Sequence, residues 1–162
     1  NKTALATLEK ALQLNPKLPG LQSLYGQALL TDGNPEAAKQ AFHAELAQNS
    51  TDFEANFHLG SLYRVEKDYE RAAALLEKAR LMRPGSIALK YQIASLQMAT
   101  GQLPEATRLL EEVTREAPDF VEAHISLATA YYRQKRKEDG DRQKAIVDEL
   151  NAKVQEKDLK VK

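Results

Sequence analysis

The chain has 162 residues, with 23 basic side chains balanced by 23 acidic ones, and no cysteine. That balance excludes a global field able to gather nucleic acid or an anionic membrane, and the missing thiols exclude disulfides, thiolate metal sites and thiol catalysis. Charged residues make up 28% and hydrophobic ones 43%, ordinary for a folded chain, and no apolar run approaches the roughly 18 residues of a membrane span.

In chain order, Asn1 to Asn15 reads as one amphipathic helix with Ala4, Leu8 and Ala11 on one face. It matches the second half of the helix pairs that follow, so residues 1–18 are expected to be the second helix of a truncated repeat within a longer protein. Residues 19–52 form a full pair. The first helix covers roughly Leu21 to Thr31, Gly33-Asn34-Pro35 turns, and the second runs to about Gln48, with Thr51 or Asp52 capping the next. Residues 53–86 repeat the pattern and end at Pro84, which cannot continue a helix. Residues 87–120 turn at Gly101, restart near Leu103-Pro104, and offer Asp119 as a cap for the helix after them. Residues 121–157 begin in phase, but Lys144 replaces the apolar residue of earlier pairs and Ala152 replaces the closing proline. The last helix is therefore expected to run on as a polar capping element, with 158–162 as a frayed tail.

The pairs share one register. Gly26, Gly60, Ala94 and Ala128 recur every 34 residues, as do Ala4, Ala38, Ala72, Ala106 and Gly140. A bulky position, Leu8, Phe42, Leu76 and Leu110, keeps the same spacing. Small residues let two antiparallel helices approach, so Gly60 and Ala72 are expected to meet, with Leu59, Tyr63, Leu76 and Ala79 around them. A fixed period of this length signals stacked supersecondary units. The pattern resembles the tetratricopeptide repeat (TPR) family over nearly the whole chain. One departure is that Gln22, Asn56, Lys90 and His124 replace the family's usual bulky aromatic near the start of each first helix. The resemblance implies an all-α, right-handed superhelical solenoid of antiparallel helix pairs in 34-residue repeats, acting as a non-catalytic protein-interaction scaffold.

The first helices of such an array line a concave groove. The inward positions are Ser23, Gln27 and Leu30; Phe57, Ser61 and Arg64; Tyr91, Ser95 and Met98; and Ile125, Thr129 and Tyr132, with Arg133 at the rim. Apolar anchors with hydroxyls between them suit a peptide or a partner's helix, although Phe57 and Tyr91 equally suit packing against a neighbouring repeat. Some TPR proteins hold acidic tails through a clamp of lysines, asparagines and an arginine. The matching positions here are Ser23, Gln27, His58, Ala88 and Gln92, then Phe57, Ser61, Gln92, Glu122 and Ser126. Neither set supplies the cations a carboxylate requires, so no such clamp is expected.

No catalytic residue, metal ligand or cofactor is expected. His43, His58 and His124 lie in three different helices and read as surface or groove residues, and the carboxylate pairs fall at solvated helix positions. Arg133, Lys135, Arg136 and Lys137 cluster at a helix C-terminus, where cations complement the dipole, so nucleic acid is disfavoured. Asn49-Ser50-Thr51 matches a glycosylation acceptor, a pattern common by chance. The expected partner is a protein or peptide and the expected state a monomer; a dimer through Leu5 or Leu12 of the first helix would reflect its missing partner. Alternative readings are an accessory or substrate-recruiting domain of a larger enzyme or envelope assembly, and self-assembly through the solenoid ends.

Overall fold

The computed structural model describes residues 2–160, with side chains described for residues 3–156. Among the described residues there are nine helices and no strand. They are α1 (Lys2–Leu14), α2 (Leu21–Thr31), α3 (Pro35–Gln48), α4 (Phe53–Val65), α5 (Tyr69–Met82), α6 (Ile87–Ala99), α7 (Leu103–Glu116), α8 (Val121–Arg133) and α9 (Lys137–Lys160). None is long and apolar enough to cross a membrane. Helix α9 continues through 158–160, where fraying was expected to begin; residues 1, 161 and 162 lie outside the described residues.

The chain divides into two compact units, Asn1–Leu89 and Lys90–Lys162. In the first, α2 pairs with α3 and α4 with α5, while α1 packs on α2 and α3 on α4. Each pair closes where a glycine meets a bulky side chain. A Cβ on Gly26 would lie 2.6 Å from Phe42 Cε1, and one on Gly60 would lie 2.8 Å from Leu76 Cγ. The nearest neighbour of Gly60 is therefore Leu76 and not Ala72. The reason is that the glycine leaves a socket, and sockets are filled by large residues rather than small ones. Ala38 and Ala72 are nonetheless fully buried.

In the second unit α8 packs against both α7 and α9. Ala94 of α6, Leu110 of α7 and Leu127, Ala130 and Tyr131 of α8 form its core, with Tyr91, Met98 and Leu109 packed against it. Lys144 is exposed at the position where Phe42, Leu76 and Leu110 are buried.

The turns inside the pairs share one conformation. Gly33, Lys67, Gly101 and Lys135 all have positive φ, at 79°, 65°, 83° and 62°. Each follows its helix with the same two hydrogen bonds, for example Asn34 N–H to Leu29 C=O at 2.9 Å and Gly33 N–H to Leu30 C=O at 3.1 Å. This is the left-handed helix stop that satisfies orphan carbonyls. The following helix starts on Asn34 or Asp68, whose side chains accept from Ala37 and Arg71 N–H. Between pairs, Asp52 caps α4 as expected, accepting from Ala55 N–H at 2.7 Å. Asp119 does not cap α8: Phe120 occupies that position and makes no side-chain cap.

Candidate functional site

The predicted groove residues fall on α2 and α4 in the first unit and on α6 and α8 in the second. On α2, Ser23 is only 2% exposed, and its hydroxyl donates to Asp52 Oδ1 at 2.6 Å. It ties one repeat to the capping residue of the next, so its hydroxyl is taken up internally. Gln27 and Leu30 are half-buried. On α4, Phe57 stacks on Phe53 at 5.8 Å and meets the His58 ring edge-on at 5.0 Å. Ser61 and Arg64 are half-buried on the same face.

In the second unit the α6 residues are held by internal packing. The Tyr91 ring lies 4.9 Å from Phe120, and its hydroxyl is 3.4 Å from Ser126 Oγ. Met98 packs on the core, and its carbonyl accepts from Arg133 Nη1 at 2.9 Å. The α8 residues are open: Ile125 is 49% and Tyr132 41% exposed, with Thr129 and Arg133 also exposed. Tyr132 leans on Gly140 and donates to Asp141 Oδ1 at 2.8 Å. Ser61, Ser95 and Thr129 share one arrangement. Each donates its hydroxyl proton to the carbonyl four residues back, at 2.8–2.9 Å, which commits the proton and leaves the oxygen able to accept. Among the open positions, charge is confined to Arg64 and Arg133.

His124 corrects the sequence reading. It is buried rather than on the surface or in the groove, 4% exposed, with Nε2 3.0 Å from Pro118 C=O and Nδ1 2.7 Å from the Gln143 amide. Asn56, two repeats earlier, does the equivalent work: fully buried, it donates to Ser50 C=O at 3.1 Å and Asp52 C=O at 2.7 Å. Two of the polar residues that replace the family aromatic, Asn56 and His124, thus bind the turn before their own helix, whereas Lys90 pairs with Glu116 of α7 at 2.6 Å.

The other two histidines also have structural partners. Tyr63 is sandwiched between Arg71, 4.2 Å from its ring centroid, and Lys39 at 5.4 Å. Arg71 Nη1 donates to the phenol oxygen at 3.1 Å, and the same hydroxyl lies 2.9 Å from His43 Nε2. Burial, then Lys39 and Arg71, hold the His43 pKa below its ordinary value. His58 stacks on Phe42 at 5.2 Å, and burial lowers its pKa despite Glu54 and Asp52. In the second unit Tyr131 donates to Glu111 Oε1 at 2.6 Å; burial first, then that bond, push its pKa up to about 12.

The basic cluster is largely taken up. Arg136 pairs with Asp139 at 2.6 Å and lies 4.3 Å over Tyr131, Lys137 pairs with Asp141, and Arg133 holds Met98 C=O. The sequence reading missed Glu45, which is 2% exposed and accepts from Gly20 N–H at 2.8 Å. Its signal was a carboxylate at the position held by Ala79 and Val113 in other repeats. Among the described residues no three His, Asp or Glu side chains converge as a metal site.

Two family models described as tetratricopeptide repeat match this chain, over residues 24–87 and 65–120. The Mus musculus protein O-mannosyl-transferase TMTC1 is 29% identical over 109 residues, covering 63% of this chain and 11% of that protein. The chain thus spans about a tenth of the length of that curated relative. MamA from Desulfovibrio magneticus RS-1 superposes with a TM-score of 0.80 at 20% identity, over 94% of this chain and 86% of that one. Pseudomonas aeruginosa PilF superposes with a TM-score of 0.78 at 16% identity, over 92% of this chain and 68% of that one. At such identities the two structures speak to fold, which is the α-solenoid of helix pairs. With its 34-residue register, its glycine sockets and both family matches, the chain belongs to the tetratricopeptide repeat family, whose arrays are protein-interaction scaffolds.

Proposed function

We propose that the chain binds a peptide or partner helix on the exposed face of its first helices and acts without catalysis. The observation that carries this is the character of that face. Within the second unit Ile125 and Tyr132 stand open to solvent on α8 with Thr129 between them; within the first, taken by itself, Phe57 and Ser61 are half-open on α4. Apolar anchors separated by hydroxyl oxygens able to accept suit a ligand that brings both apolar side chains and N–H donors. With little charge at these positions, affinity should depend weakly on salt.

The test is capture of a partner from lysate of the source organism by the native chain. Two variants serve as comparisons: Ser61→Arg/Thr129→Arg on the proposed face, and Lys78→Glu/Arg108→Glu on the second helices. Loss with the first pair alone supports the proposal. Retention by the first pair, or loss with the second pair alone, moves binding to another face. Tyr91→Ala is avoided because Tyr91 packs on the core.

The match inside a much longer mannosyl-transferase favours a second reading, an accessory, substrate-recruiting array within a larger enzyme. In that case a protein substrate of the intact enzyme should bind the isolated array.

A further inference from the structure

Helix α8 carries one exposed strip. Glu122, Ile125, Thr129, Tyr132 and Arg133 lie on one helix face, spaced by three, four, three and one residues. All five are exposed, Ile125 by 49% and Tyr132 by 41%. On α6 the equivalent apolar residues are half-buried against the following repeat, Tyr91 on Ser126 and Phe120, with Met98 C=O accepting from Arg133. On α8 the residues equivalent to Tyr91 and Met98, Ile125 and Tyr132, are exposed.

Its charge order selects the occupant. An acid stands at the N-terminal end, a base at the C-terminal end, and the apolar residues lie between. Reversed end for end, that order is its own complement. The geometry points to a second copy of this chain, docked on a two-fold axis with the two α8 helices antiparallel. Glu122 of each copy then faces Arg133 of the other, and the Ile125 and Tyr132 side chains interleave. Antiparallel alignment also opposes the helix dipoles favourably. Among the described residues Glu122 makes no ion pair, and Arg133 spends one N–H on Met98 C=O and keeps others to donate. In the first unit, α2 carries no charged residue, and α4, with Glu54 and Arg64 near its two ends, commits Glu54 to Arg83 at 2.9 Å and leaves Phe57 only half-open.

A single short helix per copy buries less than a standard stable interface, so the dimer is weak and concentration-dependent. This goes beyond partner binding, and it is read on purified protein with no partner present, so the two proposals fail separately.

The test is sedimentation velocity over a concentration series at low salt. The native chain should shift from one to two chain masses. Glu122→Arg or Arg133→Glu alone should weaken association about tenfold, because the two-fold axis spoils both pairs at once. Glu122→Arg/Arg133→Glu together should restore it, and Ile125→Asp should abolish it. Helical content by circular dichroism guards against misfolding, and Glu122→Arg suffices alone should Arg133→Glu disturb the contact with Met98. A monomer at every concentration overturns the proposal. So does a dimer indifferent to Glu122→Arg and Ile125→Asp, which would place association on another surface such as α1.

Discussion

Glu45 of α3 accepts a hydrogen bond at 2.8 Å from the N–H of Gly20, the residue that precedes α2. Gly20 brings no side chain to cap that helix and holds a left-handed φ of 78°. The paired helix thus takes up the N–H of the cap residue itself, and a carboxylate near a helix N-terminus also meets the positive end of the dipole.

Glu45→Ala should destabilise the first unit by about 1–3 kcal/mol, because it leaves a buried N–H unpaired and a cavity beside it. Glu45→Gln keeps an acceptor but not the charge and should cost less. Urea denaturation of the two variants checks the order; equal losses would remove the electrostatic contribution.

Gly60→Leu should cost about 1–3 kcal/mol by overpacking. Even a Cβ at this position lies 2.8 Å from Leu76 Cγ and 3.3 Å from Leu76 N, and the backbone atom cannot swing aside. Gly60→Leu combined with Leu76→Ala should recover part of the loss, since the truncation opens the socket. A melting temperature unchanged in the single variant would place the helix pair in a different register.

Lys67 and Lys135 hold left-handed conformations that Gly33 and Gly101 adopt at the equivalent turns. Lys67→Gly and Lys135→Gly should therefore each stabilise the chain, by up to about 1 kcal/mol, as strain relief outweighs the added freedom of the unfolded chain. Differential scanning calorimetry reads this as a rise in melting temperature. A fall would mean that contacts of the lysine stems outweigh the strain.

Tyr131 gives a dependence on alkaline pH. Its pKa moves from 10.0 to about 12 on folding, so the folded chain keeps a proton that the unfolded chain releases. The stabilisation is complete below pH 10 and is lost as pH rises toward about 12. Stability measured across this window should fall more steeply for the native chain than for Tyr131→Phe, which has no proton to lose. Parallel slopes would contradict the assignment.

The histidines act in the opposite direction. His43 and His58 have lowered pKa values, His43 because burial and the cations Lys39 and Arg71 disfavour its charged form. The unfolded chain takes up protons first, so stability should decline as pH falls below 6.5. His43→Gln should lessen that decline, with urea midpoints at pH 7 and pH 5 as the readout.

The sequence by itself determined the repeat, because a 34-residue period in small and bulky residues survives any change of partner. Gly26, Gly60 and the ladder of Phe42, Leu76 and Leu110 could be placed in facing helices on spacing alone. Lys67 and Lys135 keep the same spacing from Gly33 and Gly101, yet a lysine carries no local mark of positive φ, so those turns were not legible. Tertiary structure decided which polar side chains serve the fold. Ser23 and Tyr91 look like groove residues in a helical projection, but Asp52 and Phe120, 29 residues on in each case, take them up across the repeat boundary. His124 and Glu45 were hidden for the same reason: their partners, Pro118, Gln143 and Gly20, belong to other elements. Helical spacing specifies which face a residue occupies. Whether that face meets solvent, a ligand or the next repeat depends on contacts between elements, which no single periodicity encodes.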